Sequence, residues 1–95
     1  MKGKIFVDKG CRDALLEGGS SLLPVGMVRV EGDFREGDSL SVFYKDTEIG
    51  RGISHYDTED ARLICGHRTG ELAPALGHEA PYDTMIHRDY LIIMK

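Results

Sequence analysis

The sequence has no tryptophan and only two cysteines, and all of its apolar runs are short. Small secreted domains usually carry several disulfides, so we interpret Cys11 and Cys65 as free buried thiols of a reducing compartment. No run approaches the roughly 20 apolar residues that a membrane helix needs. The basic start, residues 1–4, precedes only Ile5-Phe6-Val7, which is too short for a signal peptide. These absences predict a cytoplasmic protein with no membrane partner.

The 95 residues carry a net charge of −4, which is unevenly spread. Residues 1–30 sum to +2, residues 31–60 to −6 and residues 61–95 to zero. A protein that binds phosphates strongly is usually basic over its contact face. Nucleic acid could therefore bind only through a local basic patch, which the N-terminal third favours. The hydrophobic share of 41% and the length predict one globular domain over residues 1–95.

Periodicity and turn residues predict the first elements of the chain. Residues 4–8 favour a strand, and Asp8 can cap a helix over residues 9–17. Gly18-Gly19 ends this helix, because glycine accepts positive φ. A strand over residues 22–30 follows, with one mixed side and one small or apolar side. The predicted apolar face of the helix comprises Cys11, Ala14 and Leu15.

Alternation predicts a hairpin in the middle of the chain. Its strands cover residues 39–44 and 49–56, and residues 45–48 form the turn between them. Glycine in a strand often marks a bulge or the close approach of another backbone. We expect one or the other at Gly50 and Gly52.

Two short helices and a closing strand complete the predicted order. Asp57 or Thr58 can cap the first helix, which Gly66 closes, and the second covers residues 69–76. Residues 84–94 favour one or two strands with a bend between them. The predicted apolar face of the first of these helices is Ala61, Leu63, Ile64 and Cys65. This order predicts a β-rich α+β fold whose short strands close into a small barrel.

Three motifs suggest chemistry, but their context excludes it. His87-Arg88-Asp89 resembles the catalytic loop of protein kinases, yet no Gly-rich ATP loop or strand lysine accompanies it. Cys65-Gly66-His67 has no second ligand pair at zinc spacing. The loop Gly18–Ser21 follows a helix, so its amides do not cradle a phosphate at a positive helix end. We therefore predict no catalytic residue, no metal and no cofactor.

Three stretches resemble the PUA domain at the C-terminal end of bacterial glutamate 5-kinases. They are residues 21–38, SLLPVGMVRVEGDFREGD, residues 51–56, RGISHY, and residues 86–91, IHRDYL. Members of that family tend to end the second stretch with Asn-Tyr, and asparagine is more usual in place of Tyr90. Gly3-Lys4-Ile5 matches in order as well, so the resemblance covers nearly the whole chain.

The resemblance implies a PUA-like pseudo-barrel of about six short mixed strands with two or three short helices. PUA domains elsewhere sit on RNA-modifying enzymes and bind RNA, in a groove beside the first helix, the following turn and the last strand. Carried over position by position, the RNA-binding candidates are Gly19, Leu23, Pro24, Gly26, His87 and Arg88. Charge adds Lys2, Lys4, Arg12 and Arg29 as phosphate contacts. The acidic residues 31–60 are expected on the opposite side.

Glutamate 5-kinase phosphorylates the side chain of glutamate with ATP, the first step of proline biosynthesis. Its catalytic amino-acid-kinase domain lies upstream of the PUA domain and is absent here. The resemblance therefore implies a non-catalytic accessory domain that supports assembly or regulation of such a transferase, with that kinase domain as its partner. Two alternatives stay open: a free-standing RNA-binding PUA module and a stand-alone protein-interaction domain.

Overall fold

A computed structural model describes residues 1–94 of the chain. The strands in this range are β1 Gly3–Val7, β2 Met27–Gly32, β3 Ser39–Tyr44, β4 Thr47–Ile53 and β5 Leu91–Ile93. The helices are α1 Lys9–Glu17, α2 Thr58–Ile64 and α3 Leu72–Leu76. Three 3₁₀ turns cover Pro24–Gly26, Thr69–Glu71 and Arg88–Tyr90. No helix in residues 1–94 is long and apolar enough to cross a membrane.

The strands form one mixed sheet in the order β2-β1-β3-β4-β5. β1 pairs antiparallel with β2 and parallel with β3, and the β3–β4 and β4–β5 pairs are antiparallel. An isolated antiparallel bridge between Leu22 and Ile86 joins the turn after α1 to the segment before β5. The predicted β-rich α+β class is confirmed, with five strands and this bridge where about six strands were expected.

Helix α1 covers the predicted residues. The Asp8 carboxylate caps it by accepting a hydrogen bond from the Cys11 N–H at 2.8 Å. Gly18 ends it with a φ of +92°, a conformation that costs glycine no Cβ clash. Leu15 is the one residue of the predicted apolar face that is buried, whereas Cys11 is half-buried and Ala14 is exposed. The face of α1 that is buried against the core is therefore narrower than the sequence predicts.

The predicted strand over residues 22–30 is wrong at its start. Pro24 begins a 3₁₀ turn that ends at Gly26, because its fixed φ suits the first helical position. Gly26 lies so close to α1 that an added Cβ would be 2.6 Å from the Cβ of Cys11. Strand β2 therefore begins at Met27.

A β-bulge at Val28 breaks the predicted alternation of β2. Val7 of β1 pairs with Met27, whereas Phe6 pairs with Arg29, so Val28 has no partner on β1. The extra residue turns Val28 outward, where it is 60% exposed, while Met27 stays buried.

The predicted hairpin is confirmed, although its turn is shorter than expected and its second strand ends at Ile53 instead of residue 56. β3 and β4 are joined by a two-residue turn in which Lys45 takes a φ of +52°. The two strand glycines allow β5 to approach. An added Cβ would lie 2.8 Å from the Ile92 carbonyl oxygen at Gly50 and 2.8 Å from the Tyr90 carbonyl oxygen at Gly52. The predicted close approach is therefore confirmed at both positions.

Asp57 is the cap of α2, because its carboxylate accepts a hydrogen bond from the Asp60 N–H at 2.8 Å. Thr58 lies in the core instead, where its hydroxyl oxygen accepts a hydrogen bond from the Phe34 N–H at 2.7 Å. The prediction that Leu63 faces the core is wrong, since this residue is 46% exposed. At 100° per residue, one helix this short buries a narrow stripe, and Leu63 falls outside it.

The second predicted helix divides into two pieces. Thr69–Glu71 forms a 3₁₀ turn, and α3 follows it directly. Gly77 ends α3 with a left-handed φ of +81°, as glycine does at many helix C-termini.

The hydrophobic core lies on the inner face of the sheet, beneath the helices. Alternation along β1 directs Ile5 and Val7 into this core, so Lys4 and Phe6 point to the opposite side, which we call the outer face. The fully buried aliphatic members of the core are Ile5, Leu15, Leu22, Leu40, Val42, Ile64, Leu72, Met85 and Ile86. One row of paired residues crosses the outer face from β1 to β5: Lys4, Ser41, Arg51 and Ile92.

Candidate nucleic-acid interface

The turn after α1 lies against the segment that leads into β5. The Leu22 N–H donates a hydrogen bond to the Ile86 carbonyl oxygen at 2.9 Å. Two residues after Ile86, the Arg88 N–H donates a hydrogen bond to the Ser21 hydroxyl oxygen at 2.9 Å. The Arg88 guanidinium also reaches the Gly19 carbonyl oxygen at 3.5 Å. The fold thus brings together two of the predicted contacts, Gly19 and Arg88, which are 69 residues apart in the sequence.

His87 belongs to a row of rings beside this contact. Its centroid lies 6.5 Å from that of His55 and 6.4 Å from that of Tyr90. His55 in turn stacks on Tyr82 at 4.1 Å. The His87 Nδ1 accepts a hydrogen bond from the Asp89 N–H at 3.1 Å, which orients the ring. Exposed rings next to a cation are the groups on which single-stranded bases stack.

Pro24 and Gly26 shape the turn from inside. Both are buried, and their carbonyl oxygens accept hydrogen bonds from the N–H groups of Gly66 and Asp8 at 2.8 and 2.9 Å. Their neighbour Leu23 is 40% exposed. The turn therefore offers a ligand the Leu23 side chain, while Pro24 and Gly26 hold the backbone in place.

Lys4 and Arg29 lie on the outer face of the sheet rather than in the turn. The Arg29 guanidinium stacks over the Phe6 ring at 3.9 Å, and the Lys4 ammonium lies 5.0 Å from the centroid of the Phe43 ring. Arg29 also forms an ion pair with Glu31 at 2.8 Å.

Arg12 occupies a third place, between α1 and β3. Its guanidinium lies 4.5 Å from the centroid of the Tyr44 ring and forms an ion pair with Asp13 at 2.7 Å. Lys2 is exposed just before β1. The other nine candidates fall into three groups. The turn group comprises Gly19, Leu23, Pro24, Gly26, His87 and Arg88, the outer-face group comprises Lys4 and Arg29, and Arg12 stands by itself.

The acidic segment is not confined to the side opposite the candidate cations. Glu31 pairs with Arg29 on the outer face, and Glu48 forms two hydrogen bonds with the guanidinium of Arg51 at 3.0 and 3.2 Å. These bonds hold the pKa of Glu48 below its usual range. The expectation of a segregated acidic side is therefore wrong at these positions, because strand pairing interleaves the charges.

Sequence reasoning missed Ser21 and Tyr90 as neighbours of the turn group. The Ser21 hydroxyl receives the Arg88 N–H, and Tyr90 is 60% exposed beside His87. A tyrosine two residues after Arg88 is the one local signal that could have indicated Tyr90. Ser21 has no such signal, since its partner lies at the other end of the chain.

The two cysteines are free and half-buried, rather than buried as predicted. Burial, and secondarily the Asp8 carboxylate, raises the pKa of Cys11 to about 11. Burial also raises the pKa of Cys65. Both thiols are therefore protonated at neutral pH and poor nucleophiles. Within residues 1–94, no three His, Cys, Asp or Glu side chains form a group that could hold a metal ion.

The chain is similar in sequence to a family of known domains and to known full-length proteins. The model of the PUA domain family matches residues 3–74. The chain is 43% identical over 94 residues to glutamate 5-kinase of Dictyoglomus thermophilum, a match that covers 98% of the chain and 25% of the relative. The chain thus spans about a quarter of the length of the curated relatives it matches.

Two solved structures share the fold. A PUA domain from Aeropyrum pernix, crystallised as a tartrate complex, superposes with a TM-score of 0.64 and 27% identity, covering 93% of this chain and 44% of that one. A chain of the archaeal box H/ACA sRNP Nop10-Cbf5 complex superposes with a TM-score of 0.61 and 17% identity, covering 98% and 23%. At 17% identity, the second likeness concerns the fold alone.

Proposed function

This chain belongs to the PUA domain family, and we propose that it serves as the non-catalytic accessory domain of a glutamate 5-kinase-like protein. The observation that carries the proposal is 43% identity to one such kinase over 98% of the chain. In the proposal, the rest of the full-length protein supplies the amino-acid-kinase domain and with it the ATP-dependent phosphorylation of L-glutamate. This chain contributes assembly or regulation and is not an enzyme on its own.

We also propose that the whole chain is one PUA domain of a cytoplasmic protein. The family match ends at residue 74, but β5 pairs with β4, and Ile86 is bridged to Leu22. The residues beyond the match therefore pack onto the matched part. The free thiols of Cys11 and Cys65 fit a reducing compartment.

A chimeric enzyme tests the accessory role. The Dictyoglomus thermophilum kinase would be prepared whole, without its PUA region, and with that region replaced by this chain. Because the relative matches nearly all of this chain, we expect the chimera to recover the oligomeric mass and the steady-state kinetics that truncation alters. The isolated chain should form no γ-glutamyl phosphate above a no-enzyme blank. Sedimentation and a coupled ATP assay provide the measurements.

Two outcomes of this experiment contradict the accessory proposal. One is a chimera that cannot be told from the truncated enzyme in mass and in kinetics. The other is turnover by the isolated chain that disappears when one of its own residues is replaced.

RNA binding is a second candidate function, favoured by the surroundings of Arg88. No carboxylate lies within ion-pairing distance of its guanidinium among residues 1–94, in contrast to those of Arg12 and Arg29. The flanking rings of His87 and Tyr90 are available for stacking. Such a cation, next to His87 and two residues before Tyr90 in the chain, suits a phosphate with an adjacent base.

The Arg88→Ala variant tests this second candidate. Removing one phosphate contact releases about one counterion fewer, so the slope of log K against log salt should flatten by about one unit. The measurement is a titration of labelled structured RNA from low salt upward, with Arg62→Ala as control. Arg62 lies in a groove with Arg35 and three acids, Asp33, Asp57 and Glu59. The carboxylates outnumber the cations there and disfavour phosphate. Equal effects of the two variants, or no binding at low salt, would refute RNA binding through the turn group.

A further inference from the structure

An apolar groove of about 380 Å³ opens on the outer face of the sheet, at the β5 edge. Three large apolar side chains that line it are exposed to solvent: Met1 is 62% exposed, Tyr90 60% and Ile92 73%. Arg51 and Asp89 stand at its rim. Apolar side chains that cluster in this way on a small domain mark an interaction site more often than isolated ones do.

The fold itself explains why the groove is open. Ile92 pairs with Arg51 and so points away from the core, to the side of the sheet opposite the helices. Gly52, the next residue along β4, lines the groove with backbone alone, because a Cβ added there would point to the core, 2.5 Å from the Cγ2 of the buried Ile86. The groove therefore follows from alternation along β4 and β5, which turns Arg51 and Ile92 outward.

The groove lies where the described chain starts. The Lys2 N–H donates a hydrogen bond to the Ser39 carbonyl oxygen at 3.1 Å, and Met1 and Ser39 both line the groove. Any polypeptide joined to Met1 would thus leave the domain beside Tyr90 and Ile92. The relatives that match this chain are about four times its length, so about three-quarters of their polypeptide lies outside the matched domain.

We propose that this groove docks the amino-acid-kinase domain that precedes the PUA domain in the full-length protein, an inference that rests on the proposed function. The occupant carries at least one large apolar side chain, which fills the space between Tyr90 and Ile92. Its own rim places a basic group against Asp89, because Glu48 already binds the Arg51 guanidinium. Arg51 and Asp89 cancel at the rim and Glu48 adds a further carboxylate, so the groove has no attraction for a polyphosphate.

The test compares the isolated chain with the chimera of the Dictyoglomus thermophilum kinase, by amide hydrogen exchange. Docking should slow the exchange of the β5 amides by about tenfold or more in the chimera relative to the isolated chain. Ile92→Glu should abolish that slowing, because it replaces an apolar wall of the groove by a carboxylate that docking would have to remove from water. In the isolated chain, the same variant should leave the melting temperature unchanged.

Val28→Glu is the matched control. Val28 is an equally apolar residue, 60% exposed, on the strand at the other edge of the sheet. It should leave the protection of β5 in the chimera intact. Equal protection in isolated chain and chimera, or equal effects of the two variants, would overturn the proposal.

Two further outcomes separate the competing explanations. If the chimera recovers the mass and kinetics of the whole kinase without extra protection at β5, the docking proposal fails and the accessory function stands. If the chimera recovers nothing, the accessory function itself fails. If the isolated chain self-associates and Ile92→Glu abolishes this, a second copy occupies the groove, which also overturns docking of the kinase domain.

Discussion

Replacing Leu22 by alanine should lower the free energy of unfolding by about 3 to 4 kcal/mol, in the range of core leucine truncations. Leu22 is fully buried, and its backbone makes the bridge to Ile86 that carries the turn group. A domain of this size has a total stability of roughly 5 to 14 kcal/mol. The loss is therefore a large fraction of the whole, and urea unfolding followed by circular dichroism measures it directly.

Leu23→Ala is the control for this prediction. Leu23 is adjacent in sequence but 40% exposed, so its truncation should change stability by no more than about 0.5 kcal/mol. Both variants remove the same side-chain atoms, so a difference between their free energies of unfolding reports the burial of the leucine. If the two variants were equally destabilised, the placement of the turn against the core would be wrong.

The second large effect is expected at Gly52. An added Cβ would lie 2.5 Å from the Ile86 Cγ2 and 2.8 Å from the Tyr90 carbonyl oxygen, so Gly52→Ala must displace the segment that leads into β5. Overpacking of this kind should cost about 2 to 3 kcal/mol. Hydrogen exchange should show the loss first at the amides of β5, because that strand pairs with β4 alone.

Gly70→Ala provides the comparison for Gly52. No heavy atom lies within 4 Å of a Cβ added at Gly70, and its φ is not in the left-handed region. This substitution should be neutral or stabilising by up to about 1 kcal/mol, since alanine has less freedom in the unfolded chain. A Gly52→Ala protein as stable as the Gly70→Ala protein would contradict the observed approach of β5.

These variants also bear on the two candidate surfaces, which the same segment connects. The turn group includes His87 and Arg88, whereas the groove begins at the next residues, Asp89 and Tyr90. Gly52→Ala should therefore disturb both surfaces together, while Arg88→Ala and Ile92→Glu should each affect one. Arg88→Ala and Ile92→Glu therefore distinguish RNA binding from docking better than Gly52→Ala does.

Short-range signals were sufficient to predict several elements of this fold. The Asp8 cap and the Gly18 terminus lie within a few residues of the groups they satisfy, so the bounds of α1 follow from the chain itself. The strand glycines Gly50 and Gly52 likewise predicted a bulge or a close backbone neighbour, and the structure shows the close neighbour at both. The resemblance to PUA domains rests on the same local stretches and is confirmed by the family match.

Long-range pairing accounts for the features that the residues could not reveal. The bulge at Val28 depends on how β2 aligns with β1, and alternation within β2 contains no trace of that partner. Lys4 and Arg29 project from the outer face, whereas Arg88 contacts Gly19. The net charge of the sequence does not distinguish these three cations, because each contributes +1. Cap formation involves neighbours along the chain and can be predicted from order alone. The assembly of a surface depends on which distant strands pair, and that became clear only from the folded chain.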